Sequence, residues 1–287
     1  MEREQIVNRL AAVDERFARE SDARIALLSE LTMLYEQREV VSGSTAFSLH
    51  KSCSCAAQCW GTLPAEARPT RSEIHGTGED GSIFWPWIGA DYTGGGVCLL
   101  ALNLHQGQWW APWTEEYFVA KHQLDEMAAG KKRIHRSLFA YRSSTSANAI
   151  LSAAAGAEPL LGPDPRLCAA TMNGVARLQL IKCSPQRRRA EPTGAMRDSC
   201  PELYAAEEIA ILAPGALVLL GNDARRACEQ MGEIEWQVPL LRGRLALPEL
   251  SIELFVVPHP NSRGTTWPNG HLRLVESLRQ QPPKLGR

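Results

Sequence analysis

Four short apolar runs punctuate the last two-thirds of the chain, at residues 97–103, 177–182, 216–220 and 252–258. They scarcely alternate between apolar and polar, the pattern of strands buried on both faces of a sheet. Segments with helical spacing separate them, at residues 114–127, 136–154, 193–212 and 223–231, and a last amphipathic stretch at 272–278 precedes Pro282-Pro283. This alternation predicts an α/β fold of three layers: a central, mostly parallel four-stranded sheet with helices on both faces. Nearer the start, Ile6, Leu10, Val13 and Phe17 recur at helical spacing, and Ser21-Asp22 opens a second helix to about residue 35. The expected organisation is a helical N-terminal extension at 1–50 and an α/β domain at 51–287. A stretch rich in Cys, Ser and Gly, residues 42–96, lies between the helices and the first strand. Irregular segments of that length usually serve a function or hold a metal.

A chain of 287 residues with a formal net charge of -1 has room for one sizeable core. Any nucleic-acid contact must come from a local basic patch. Two are present, Lys131-Lys-Arg133 with Arg136, and Arg187-Arg-Arg189. No apolar run is long enough to cross a bilayer, and the N-terminus is charged where a signal peptide would be apolar, so a cytoplasmic monomer is expected. In a reducing compartment the eight cysteines point to burial, catalysis or metal rather than to disulfides. Cys98 and Cys228 fall in a strand and on a helix face, and read as core. Cys53, Cys55 and Cys59 crowd into one segment, while Cys183 and Cys200 flank a basic one. Four such thiolates suit an iron–sulfur cluster or a tetrahedral zinc site, or stay unligated.

Polar residues with chemical potential cluster where the apolar runs end. Asn103 ends the first, Lys182-Cys183-Ser184-Pro185 ends the second, Gly221-Asn222-Asp223 follows the third, and Pro258-His259-Pro260-Asn261-Ser262-Arg263 ends the fourth. Open α/β sheets bind ligands at the carboxyl ends of their strands. In order and spacing these motifs resemble the uracil-DNA glycosylase superfamily, most of all its iron–sulfur members, over about residues 97–280, with a first motif like that of the mismatch and single-strand-selective members.

That resemblance implies base excision from DNA. Asn103 matches the residue that orients the attacking water, although the Pro-Gly that normally follows is absent. His259 matches the histidine that donates a hydrogen bond to the departing base. Gln179 stands where relatives carry an asparagine that pairs with the edge of uracil; its longer amide leaves uracil, another modified pyrimidine or a deaminated purine as substrates. Phe139 matches the aromatic that stacks on the base, with Trp110 and its neighbours Trp109 and Trp113 as alternatives. Arg187, Arg188 and Arg189 occupy the loop that meets phosphate in iron–sulfur relatives, and Asn261, Ser262 and Arg263 continue the histidine loop toward DNA. Cys55, Cys59, Cys183 and Cys200 match the ligands of a [4Fe–4S] cluster, with Cys53 an alternative for the first pair. No lysine matches a Schiff-base nucleophile, so a monofunctional enzyme is expected. The rival expectations are a DNA-binding module with this fold but no activity, and an iron–sulfur electron carrier.

Overall fold

The computed structural model describes residues 22–37, 86–89, 91–102, 129–130, 138–162, 164–181, 194–237 and 241–285. In chain order its elements are α1 (Asp22–Gln37), β1 (Trp87–Ile88), β2 (Val97–Ala101), α2 (Leu138–Ala154), α3 (Pro165–Asn173), β3 (Val175–Gln179), α4 (Gly194–Cys200), a π-helical turn (Pro201–Ala205), α5 (Ala206–Leu212), β4 (Ala216–Leu220), α6 (Asn222–Met231), β5 (Glu233–Gln237), β6 (Arg242–Leu247), β7 (Leu250–Val257) and α7 (Thr266–Gln280).

The strands form one seven-stranded sheet in the order β1-β3-β2-β4-β7-β6-β5. Its centre is the expected four-stranded parallel unit, β3-β2-β4-β7, and antiparallel strands extend both margins. Every residue of β2, β3 and β4 is buried, which accounts for their unalternating apolar runs. By contrast, β5 at the far edge alternates between exposed and half-buried residues, and its exposed Glu233 and Glu235 make a poor template for another chain.

Residues 194–212 are helical throughout, as the spacing predicts, but the rod changes register where Pro201 enters it. Proline supplies no N–H to the helix, and a π turn absorbs the mismatch: the Ala206 N–H reaches the carbonyl of Pro201, five residues back. Ala213 in a left-handed conformation then ends α5. Asp164 caps α3, its carboxylate accepting from the Leu167 N–H at 3.3 Å, with Pro165 at the first helical position.

Helix α1 shares the core rather than standing apart from it. Leu28, Leu31, Leu34 and Tyr35 belong to the same apolar cluster as the central strands. The Tyr35 hydroxyl donates a short hydrogen bond to Glu208, a fully buried carboxylate on α5. Burial, reinforced by that carboxylate, drives the Tyr35 hydroxyl well above its ordinary pKa. Cys98 and Cys228 are buried, as expected of core residues.

Candidate active site

Parallel pairing brings the carboxyl ends of the central strands level. Ala101 of β2 lies beside Gln179 of β3 and Leu220 of β4, and Leu220 lies beside Val257 of β7. The chain leaves all four strands along this line. Two backbone bonds hold the row together as it does so, Leu180 N–H to the Ala101 carbonyl at 2.9 Å and Gly221 N–H to the Val257 carbonyl at 2.8 Å.

Three side chains meet above this row. Phe139, in the first turn of α2, is half-buried. Its ring lies 5.5 Å from the His259 ring, centroid to centroid, at 52°. On another side the Arg177 guanidinium sits 4.8 Å from the ring centroid, a cation–π contact made from inside β3. Arg177 and Gln179 are two residues apart on one strand, so both project from the same sheet face. Gln179 is 3 % exposed, and its Oε1 has no hydrogen-bond partner among the described residues. A buried acceptor left without a donor costs about 1–3 kcal/mol, which a ligand offering an N–H would recover.

The hydrogen bonding of His259 gives it a defined chemistry. Its Nδ1 accepts the backbone N–H of Asn261 at 3.2 Å. The neutral ring therefore carries its proton on Nε2, which is a donor. Burial pushes the imidazole below its ordinary pKa; the Asp223 carboxylate opposes this and the Arg177 guanidinium adds to it. Asp223, in the first turn of α6, is itself held by Arg197 at 3.1 Å. The strand-to-helix turn leading there needs glycine: Gly221 has φ +97° and lies against His259.

Phe139, Gln179 and His259 thus stand at the carboxyl edge of the sheet, where the sequence places them. Asn261, Ser262 and Arg263 lie in the loop that follows β7; Asn261 and Arg263 are exposed, and Ser262 is half-buried. Asn103, Trp110, Arg187, Arg188, Arg189, Cys55, Cys59 and Cys183 lie outside the described residues, as do the expected helices at 6–17 and 114–127. Cys200 ends α4 as a fully buried free thiol. The described residues hold no group of three or more metal-ligating side chains. Arg242 in β6 is structural: it is buried, pairs with Glu253 at 2.5 Å and donates to the Gln281 carbonyl beyond α7.

Two residues of the site escape motif reading. Arg177 leaves one signal, a charge inside a fully buried strand. Arg142, on the same turn of α2 as Phe139, leaves only its i, i+3 spacing from that ring.

A level row of parallel strand ends, bearing a buried amide, an aromatic ring and a neutral imidazole donor, defines an α/β protein suited to hold a planar ring and stabilise negative charge on it. The family model of the uracil DNA glycosylase superfamily matches residues 77–279, more than half of the chain, and the protein belongs to that superfamily. Its members are generally DNA glycosylases, hydrolases that act on DNA in base excision repair. A search of curated proteins found no match. No helix among the described residues is long and apolar enough to cross a membrane.

Proposed function

We propose that the protein is an active, monofunctional DNA glycosylase that flips a deaminated base out of DNA, uracil foremost, and hydrolyses its N-glycosidic bond to leave an abasic site. The observation that carries this reading is the accepting Nδ1 of His259, which leaves Nε2–H free to donate beside the Phe139 ring. Phe139 stacks on the flipped base. The Oε1 of Gln179, without a partner among the described residues, accepts the ring N–H that deamination creates, and its amide N–H₂ donates to the adjacent carbonyl. As the bond to the sugar lengthens, charge gathers on the base, and His259 donates to the oxygen that receives it. One donor aimed at developing charge is worth roughly 3–4 kcal/mol. Asn103 orients the water through its side-chain carbonyl; a weak base suffices because the sugar is already cation-like, the water's oxygen bonds to C1′ as the bond to the base breaks, and its proton passes to the departed base anion or to solvent. Arg187, Arg188, Arg189, Asn261, Ser262 and Arg263 grip the DNA backbone.

The same reading extends to a [4Fe–4S] cluster on Cys55, Cys59, Cys183 and Cys200. Full burial of Cys200 suits a ligand of a water-excluded cluster. Such a cluster would brace the segments between these cysteines, and hydrolysis asks no electron of it. Visible charge-transfer absorbance with matching iron and sulfide would support it; zinc alone, or no metal, would remove it.

The test is base release from single- and double-stranded oligonucleotides carrying uracil, hypoxanthine or hydroxymethyluracil. Release of one of these bases, with strand cleavage only after alkali, supports the proposal. Enzyme-dependent cleavage without alkali would refute the monofunctional reading. Tight binding without release on any substrate would favour the non-catalytic DNA-binding module.

A further inference from the structure

We propose that Arg142 is the positioning residue of the His259 loop, fixing which imidazole nitrogen carries the proton by holding one peptide plane; this rests on the proposed role of His259 as a donor. The Arg142 guanidinium projects from α2 into the loop after β7. Its Nη1 donates to the Pro260 carbonyl at 2.6 Å and to the Ser262 carbonyl at 3.0 Å. One such nitrogen carries two N–H groups, enough for both acceptors.

The consequence follows from peptide geometry. The Pro260 carbonyl and the Asn261 N–H belong to the same planar peptide unit, and in a trans unit they point in opposite directions. That N–H is the donor to His259 Nδ1. Holding the carbonyl toward Arg142 therefore turns the N–H toward the imidazole. A charged donor on the oxygen also polarises the unit and strengthens its N–H as a donor. The Ser262 bond fixes the next peptide but one, and the Ser262 N–H closes the turn on the His259 carbonyl at 2.8 Å.

Arg142 is itself braced. Its guanidinium lies over the Trp267 ring, 5.2 Å from the centroid, and Trp267 stacks on His271 at 5.0 Å and 8°. His271 is fixed by the Leu160 carbonyl at 2.8 Å from Nε2 and by Ser146 Oγ at 3.5 Å from Nδ1. Because Phe139 and Arg142 share one face of α2, a single helical turn places both the stacking ring and the donor loop.

The experiment is ¹⁵N NMR of the imidazoles in the full chain, for wild type, Arg142→Gln and Arg142→Lys, beside single-turnover base release and DNA binding. Besides the Asn261 N–H, the charged groups facing His259 are Asp223 from α6 and Arg177 from β3, and both stay constant across the series. In wild type His259 should be the Nε2–H tautomer. In Arg142→Gln the hold on Nδ1 slackens, so the other tautomer gains population and the His259 pKa rises. Base release then falls roughly ten- to hundredfold with little change in DNA affinity. Arg142→Lys, which keeps one charged donor, should fall between the two. An unchanged imidazole in Arg142→Gln overturns the proposal, as does a rate loss explained wholly by weaker DNA binding, which would make Arg142 a phosphate contact. If neither variant folds, the wild-type spectrum decides, since an Nδ1–H tautomer there is incompatible with the clamp. If wild type releases no base, the glycosylase reading fails while the imidazole signals still test the clamp.

Discussion

Gly221→Ala perturbs the site without altering the chemistry of any side chain proposed to act on the base. The native backbone there has φ +97° and ψ 170°, a region essentially reserved for glycine. Forcing alanine into it costs about 1–3 kcal/mol. A methyl group built at this position lies 3.2 Å from His259 Cβ, and 3.6 and 3.7 Å from its N and Cα. One of the two must give by a few tenths of an ångström. The Gly221 N–H is tied to the Val257 carbonyl at 2.8 Å, two residues before the histidine, so the turn has little freedom to retreat. The displacement therefore falls on His259, whose ring is the one beside Phe139. Thermal unfolding and single-turnover base release measure the two effects. At roughly 2–4 °C per kcal/mol for a domain of this size, the melting temperature should drop by about 2–12 °C. The rate should drop about tenfold, since a full ångström of misplacement costs on the order of a hundredfold. Wild-type stability and rate together would mean that neither the φ of Gly221 nor its contact with His259 constrains the turn. Lost stability with an unchanged rate would leave Gly221 a turn residue with no part in placing the donor.

Other perturbations separate scaffold from site. Tyr35→Phe removes a buried donor to the Glu208 carboxylate and should cost about 1–3 kcal/mol in urea unfolding, with base release per folded molecule unchanged. Arg242→Met strands Glu253 and the carbonyl beyond α7, a loss of about 3–5 kcal/mol in the same assay. Stability should also depend on pH through His271, whose burial lowers its pKa below 6.5 while the Leu160 carbonyl opposes the shift. The unfolded chain takes up a proton as pH falls through 6.5, and the folded chain does so only at lower pH. This stability is complete above 6.5 and declines below it, by up to about 1.4 kcal/mol per pH unit until the folded-state value is reached. Equilibrium unfolding at pH 7.5, 6.5 and 5.5 checks the sign, and stability that rises toward acid would contradict it.

The central strands are legible in the sequence because burial on both faces removes any reason to alternate. The same logic misplaces both ends of one strand. The apolar run at 177–182 continues past the end of β3 at Gln179, because Leu180 and Ile181 stay buried after leaving the sheet. The strand also begins earlier, at Val175. Conversely, the β5–β6 hairpin is easy to overlook, since Glu233-Ile-Glu-Trp-Gln237 carries the period-2 pattern of a half-exposed edge and looks polar by composition. Helix α3 is absent from the expected elements, although Asp164-Pro165 carries the signature of a helix start. Within the site, the positions of His259, Phe139 and Gln179 were legible because they are tied to strand ends and to a recognisable order of motifs. Arg142 and Arg177 were not, because what they do depends on what the fold brings to them: two loop carbonyls for one, an aromatic face for the other.

Whether His259 donates to the departing base is read most plainly from single-turnover release of uracil from an oligonucleotide by wild type and His259→Ala. Wild type should release the base, the variant should do so more slowly by roughly 10²–10³, and the two should bind DNA with similar affinity. Equal rates, or tight binding by wild type with no base released, would contradict that donation.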